Sequence, residues 1–288
     1  MLDTLRFIAR HPLCSERRGS AILRYLRWQV GVRVLKMPVV VPFVGDTELV
    51  VERSMTGATG NVYCGLHEFA DMAFCLHFLR DSDVFLDVGA NVGSYTILAS
   101  GVVGARSISI EPVPQTYRNL VRNLRHNSIE QLVDAHPCVA GSAPGQLRFS
   151  VDRDTTNGVV DEKYRGTSAF IPVRTLDSLL NGASTTLWKV DVEGFEEQVI
   201  DGAAEALRNP SLKALLLELD SPSLRSSMRN AGFKLACYDA FNRTVRVLSE
   251  HADSDGTGGN NNLWIRDQSF VEARCQSGPA QTVLGVTF

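Results

Sequence analysis

Val84-Phe-Leu-Asp-Val-Gly-Ala-Asn-Val-Gly-Ser-Tyr-Thr96 carries more architectural information than any other part of the chain. Its apolar opening ends in Asp87, a tight loop carries Gly89 and Gly93, and a helix-like run from Tyr95 to Ala99 follows. This order reads as a buried parallel strand feeding a glycine turn into a helix, the arrangement that brings a nucleotide-like ligand against backbone. A loop that grips a pyrophosphate has the spacing G-x-G-x-x-G, whereas here Ala90, Asn91 and Val92 separate just two glycines. An acidic side chain at the strand end repels a pyrophosphate and attracts a ligand bearing an amino or sulfonium cation. The stretch therefore points to S-adenosylmethionine (SAM) rather than to a nicotinamide cofactor.

On both sides of it, short apolar runs alternate with helical patterns. Strands are expected over 84–87, 105–111, 132–139, 186–191, 212–219, 233–238 and 262–265, and helices over 94–100, 114–127, 195–208 and 222–231. Such alternation implies a parallel sheet with helices on both faces. Upstream, 39–43 and 48–52 read as a hairpin around Gly45-Asp46, 56–65 as a glycine-rich loop and 68–79 as a helix. Between 141 and 177 the rhythm breaks, and 147–151 with 168–173 read as an inserted β-hairpin. The loop 250–261, crowded with Asp, Gly and Asn, reads as mobile. The tail after Arg266 is weakly patterned and reads as partly disordered. Three segments result: 1–59 as a basic helical extension with a hairpin, 60–266 as the main domain, and 267–288 as the tail.

Composition narrows the classes. A chain of 288 residues with 44% hydrophobic and 21% charged residues is ordinary for a globular protein. Its net charge of -3 provides no whole-chain basic field, and no Asn/Asp-Pro-Pro-Tyr motif for a flipped base is present, so no nucleic-acid partner is expected. The cysteines show no C-x-x-C and the histidines no H-E-x-x-H spacing, which leads to an expectation of reduced thiols, a cytoplasmic setting and no metal. Residues 1–36 are different. Arg6, Arg10, Arg17, Arg18, Arg24, Arg27, Arg33 and Lys36 face just Asp3 and Glu16, with apolar residues at helical spacing. The plainer reading is a helical cap with its arginines in water. The alternative is a helix pair that touches a membrane surface or a partner, in which case the protein is peripheral to the inner face of a membrane.

Asp87, Glu111, the Pro137-Cys138-Val139 region and Asp191 all fall at carboxyl ends of expected strands, where the ligand crevice of an open α/β sheet lies. A carboxylate at Glu111 can accept both hydroxyls of a ribose, although it can also cap the helix that starts after Pro114. In Leu187-Trp-Lys-Val-Asp-Val-Glu-Gly-Phe-Glu196, the alternation directs Lys189 and Asp191 to one sheet face. Charges in a buried strand must be paired or functional, so the competing reading is a structural ion pair of Lys189 with Asp191 or Glu218.

Asp87-Val-Gly-Ala-Asn-Val-Gly93, Glu111-Pro112, Lys189-Val-Asp-Val-Glu-Gly-Phe-Glu196 and Leu216-Leu-Glu-Leu-Asp220 together resemble the FkbM family of SAM-dependent methyltransferases. Tyr63-Cys-Gly-Leu-His-Glu68 and Thr175-Leu-Asp177 extend the resemblance to about residues 60–266. It implies a class I methyltransferase, Rossmann-like, seven-stranded sheet with its last strand antiparallel, and O-methylation of a sugar, glycan or natural-product hydroxyl. By the same resemblance Asp87, Gly89, Asn91 and Gly93, with Ala90 in the same loop, line the methionine part of the cofactor. Glu111 then takes the ribose, Pro112 and Val139 take the adenine, and Asp191 adds a further contact. Methyl transfer to an alcohol needs alignment and a base. Asp191 is the first candidate base or acceptor orienter and Glu68 and His67 are the next, while Lys189 either stabilises an oxyanion or holds Asp191. The acceptor is a small molecule or glycan, with a polar sugar hydroxyl the first choice. The rivals are an NAD-dependent oxidoreductase, which should show a third loop glycine, and a non-catalytic membrane- or partner-binding module.

Overall fold

The computed structural model describes residues 2–35, 37–52, 55–152, 157–161, 163–249 and 261–288. Helices α1 (Leu2–Arg10) and α2 (Arg18–Leu35) precede a hairpin of β1 (Val39–Pro42) and β2 (Glu48–Val51), followed by α3 (Thr56–Cys64) and α4 (Phe69–Phe78). The alternation then runs through β3 (Val84–Val88), α5 (Ser94–Thr96) with its π-helical continuation Ile97–Val103, β4 (Arg106–Ile110), α6 (Pro114–His126) and β5 (Val133–His136). After the insertion, made of β6 (Val139–Ala140), β7 (Gly145–Ser150) and β8 (Ser168–Arg174), come α7 (Leu176–Leu180), β9 (Leu187–Val190), α8 (Glu196–Asp201), β10 (Ala214–Leu217) and α9 (Pro222–Asn230). The chain closes with β11 (Lys234–Asp239), β12 (Thr244–Val247), β13 (Asn262–Ile265), α10 (Gln268–Ser277), β14 (Thr282–Val283) and β15 (Val286–Thr287).

The main sheet has the order β12-β11-β13-β10-β9-β3-β4-β5. Strands β5, β4, β3, β9 and β10 are parallel, and β13 runs antiparallel between β10 and β11. This is the class I methyltransferase arrangement, with the last main strand reversed. An all-parallel dinucleotide sheet differs at that position. The expected seven strands become eight, because β12 folds back on β11 as an antiparallel edge. The turn that allows it is built by Asp239, whose Oδ1 accepts from Phe241 N and Asn242 N (both 3.0 Å).

Alternating side chains feed two cores, as the period of two requires. Phe85, Leu187, Leu216 and Leu263 pack with α4, the helix after β3 and α10, while Leu86, Val88, Trp188, Leu215 and Leu217 pack with α7, α8 and α9. The first core also takes in Ile8, Trp28, Val271 and Phe288, so one apolar cluster passes through all three segments read from the sequence. Among the described residues no helix is long and apolar enough to cross a membrane. All six cysteines are free, and five of them are buried.

Several elements differ from expectation for identifiable reasons. The glycine-rich 56–65 is helix α3, because Gly60 gives the His67 ring a place directly on the helix and Gly65 (φ +80) ends it. The expected strand over 132–139 splits at Pro137. β5 stays in the main sheet, whereas β6 joins β7 and β8 in a three-stranded sheet of order β6-β8-β7. The helix expected over 195–208 stops at Asp201 and resumes as a 3-10 turn at Ala206–Arg208, with Asp177 accepting from Glu205 N and Ala206 N. The tail is folded. α10 is capped by Asp267 (3.0 Å to Phe270 N), and Phe288 is buried against Phe69 and His77. Apart from Asn261, the loop read as mobile lies outside the described residues.

Candidate active site

The loop after β3 is shaped by contacts that leave no room for side chains. Gly89 (φ +80) lies so close to the strand end at Asp191 that a Cβ would overlap the Asp191 carbonyl oxygen. Its N–H and that of Ala90 both donate to Ile110 O (2.9 and 3.0 Å). Asn91 is left-handed (φ 51), a conformation asparagine tolerates, and its N–H donates to Glu111 Oε2 at 3.0 Å. Glu111 Oε1 accepts from Val113 N at 2.8 Å. Burial pushes Glu111 up to about 7, although these two hydrogen bonds pull it back. Burial likewise raises Asp87 to about 6, against a hydrogen bond from Thr96 Oγ1 (2.6 Å).

Next to Asp87 across the sheet lies Lys189, its registered neighbour on β9. Lys189 Nζ is 2.5 Å from Asp191 Oδ2, 3.9 Å from Glu68 Oε2 and 4.8 Å from the centre of the Tyr95 ring. Burial alone would lower the lysine, but Asp191 and Glu68 more than offset it and keep an ammonium. Burial raises Asp191, yet the Lys189 charge and hydrogen bonds from Glu218 and Lys189 hold its carboxyl below the usual range. Glu218 is pushed up to about 8 by burial and by the Asp191 charge, so at neutral pH it is largely protonated and donates to Asp191. Carboxylate oxygens of Asp191, Glu193 and Glu218 lie within 4.8 Å of one another, which is why one of them keeps its proton.

Glu68 accepts from Tyr95 OH (2.7 Å) and from Asn261 Nδ2 (3.4 Å). The His67 ring packs on Gly60 and beside Phe7 (5.0 Å between centres), and burial lowers its pKa, leaving it neutral.

These groups share one cavity of about 400 Å³. His67, Glu68, Asp87, Gly89, Ala90, Asn91, Glu111, Pro112, Val139, Lys189 and Asp191 all line it. Gly93 does not. Its left-handed backbone (φ +92) turns the chain into α5 under Leu120, where a Cβ would fall 2.6 Å from Leu120 Cδ1. Sequence reasoning missed Tyr95, Phe149 and Phe195 on the walls, and it cast Glu218 as a partner of Lys189 rather than of Asp191. Tyr95 could have been found as the first inward residue after the loop. Phe149 comes from the inserted sheet and carries no local signal.

The profile of the methyltransferase FkbM domain matches residues 87–235, a little over half of the chain. The chain belongs to the FkbM methyltransferase family. No curated protein matches it. Among solved structures, P. horikoshii TYW2 in complex with MeSAdo is 12% identical to this FkbM methyltransferase, with 80% of this chain and 70% of that chain covered at a TM-score of 0.45. Precorrin-6y C5,15-methyltransferase from Geobacter metallireducens GS-15 is 15% identical, covering 69% of this chain and 87% of its own, at a TM-score of 0.39. An rRNA methylase from Streptococcus thermophilus is 10% identical, covering 69% and 95%, at a TM-score of 0.39.

The raised carboxyls make a testable statement about this family member without ligand. Asp87 and Glu111 start from ordinary values of 3.8 and 4.5 and reach about 6 and about 7 in the fold. Between those limits the folded chain holds protons that the unfolded chain has released. The resulting stabilisation is complete below about pH 4 and is lost as pH rises through 6 and 7. Melting of the ligand-free protein between about pH 5 and about pH 8 should show Tm falling with rising pH. A Tm that climbs over this interval contradicts the assignment.

Proposed function

We propose that the protein is a SAM-dependent O-methyltransferase acting on a hydroxyl of a sugar, glycan or natural product. The observation that carries this reading is the convergence of Asp87, Glu111 and Asp191, from three adjacent strand ends, on one cavity beneath a glycine loop. The donor set fits the cofactor. Each Glu111 oxygen holds one backbone N–H and retains a further lone pair, so the carboxylate can accept a ribose diol while bracing Asn91 and Val113. Pro112, Val113, Val139 and Phe149 form an apolar wall for an adenine, and Asp87 places negative charge where an ammonium and a sulfonium would lie.

When bound, SAM supplies an electrophilic methyl group on a sulfonium leaving sulfur. The chain has to align an acceptor oxygen with it and remove one proton. The Asp191 side chain is 32% exposed and faces the cavity, whereas that of Lys189 is 4% exposed. Asp191 accepts the hydrogen bond of the acceptor hydroxyl, and Lys189 fixes the carboxylate from behind. A weak carboxylate base suffices, because the acceptor oxygen becomes strongly acidic as its new bond to carbon forms. Glu68, already engaged by Tyr95 and Asn261, braces Lys189 on its other side.

Calorimetric titration separates this reading from the oxidoreductase: SAM should bind and NAD should not. Glu111→Gln keeps the shape of the carboxyl but loses its charge and one acceptor. Its SAM affinity should fall about 10- to 100-fold, the worth of a charged hydrogen bond. Incubation with SAM labelled in the methyl group and a panel of glycans tests the acceptor, and transfer confined to proteins or nucleic acids rejects the acceptor class.

A further inference from the structure

Helix α2 is apolar on two opposite sides. Ala21, Tyr25, Trp28 and Val32 form the buried side, packed into the first core. On the other side Leu23, Leu26, Val30 and Val34 succeed one another at spacings of three and four residues, and Met37, beyond the helix, is exposed as well. Leu26 is 50% exposed, Val30 62% and Val34 72%. The row extends about 17 Å along the helix from Leu23 to Val34. Arg27 and Arg33 are exposed on its two flanks, and Arg17 and Arg18 are exposed at its start. Arg24 is the exception, turned inward to donate to Tyr63 O (3.0 and 2.8 Å). From Glu16 to Asp46 the sequence contains no acidic residue between them.

We propose that this face of α2 docks the protein on an anionic phospholipid surface, lying in the plane of the interface. An apolar row with arginines at both edges matches acyl chains below and anionic headgroups alongside. The helix does not meet the requirements for crossing a membrane, which leaves the in-plane arrangement. Charge argues against the same face pairing with a second copy. Paired helices are registered by flanking charges of both signs, whereas two copies of this face would bring arginines against arginines. The proposal is independent of the cofactor and acceptor assignments.

Cosedimentation of the full chain with large vesicles tests it. The protein should pellet with phosphatidylcholine vesicles containing phosphatidylglycerol, less with pure phosphatidylcholine, and less at high salt. Leu26→Glu with Val30→Glu should weaken binding at least about tenfold, as should Arg27→Glu with Arg33→Glu. All four side chains point to solvent, so unchanged melting shows that the variants remain folded. Failure of the parent protein to pellet with phosphatidylglycerol vesicles, or pelleting of the Leu26→Glu/Val30→Glu variant like the parent, overturns the proposal. A parent that light scattering shows to be a dimer, made monomeric by L26E/V30E and indifferent to vesicles, also overturns it, the face then being an interface between copies.

Discussion

Gly89→Ala will lose SAM binding and melt well below the parent protein. Two effects add at this position. The backbone is left-handed, which disfavours alanine by about 1–2 kcal/mol. The new methyl would also occupy the same space as the Asp191 carbonyl oxygen, so β3 and β9 must part at their carboxyl ends. Overpacking of this kind costs about 1–3 kcal/mol or more, and the two together correspond to a Tm lower by about 10 °C. Binding goes because the displaced loop carries the Asn91 N–H that holds Glu111, and the end of β9 pushed away from it carries Asp191. Gly182→Ala provides the control. Gly182 has the same φ of +80, but nothing lies within 4 Å of its would-be Cβ. That variant should show the conformational cost alone and bind SAM normally. Equal behaviour of the two variants would locate the effect in backbone conformation and refute the close-approach explanation.

Lys189→Met is the second severe change. Methionine preserves most of the side-chain volume while removing the buried cation that faces Asp191, Glu68 and Asp87. Breaking such a pair from one side costs up to about 3–5 kcal/mol, because the largely buried Glu68 and Asp87 and the part-buried Asp191 are left without a counter-charge. Asp191 should then titrate upward, and methyl transfer should fall about 10²- to 10⁴-fold, the usual worth of a positioned base. Adding Asp191→Asn to Lys189→Met relieves the orphaned charge, so the double variant should regain part of the lost stability while remaining inactive. Calorimetry and single-turnover methyl transfer measure the two quantities separately. A single K189M variant as stable as the parent would mean that the pair is not the electrostatic anchor of the site.

Much of this site was readable along the chain because its signals are local. The run from Val84 to Asp87 and the glycine bend after it lie within one strand–turn–helix unit, and the structure forms that unit at β3 and α5. The alternation that put Lys189 and Asp191 on one face held, and the two side chains meet at 2.5 Å. Glu111 was legible as an acid at a strand end, but its bracing of Asn91 and Val113 was not, since those bonds depend on how two loops approach. Pattern failed wherever a distant neighbour overrode propensity. Gly60 reads as a loop residue yet lies within α3, where the His67 ring occupies the space a side chain would need. The tail reads as loose, yet α10 packs on α4 because Arg80 and Arg274 tie the two together through the Arg274 and Phe78 carbonyls.

Periodicity and residue chemistry were therefore enough to establish the alternating α/β class and to place Asp87, Glu111, Lys189 and Asp191 at the carboxyl end of the sheet, where the cavity lies. The eighth strand, the ordered C-terminus and the exposed apolar row on α2 emerged only with the folded chain. So did the links of Tyr95 to Glu68, of Glu68 to Lys189 and of Glu218 to Asp191. The physical reason is range. Strand and helix periods repeat over a few residues and leave their mark in any short window, whereas a proton shared between Asp191 and Glu218, or an ammonium held among three carboxylates, exists only after parallel crossovers have brought separate strand ends together.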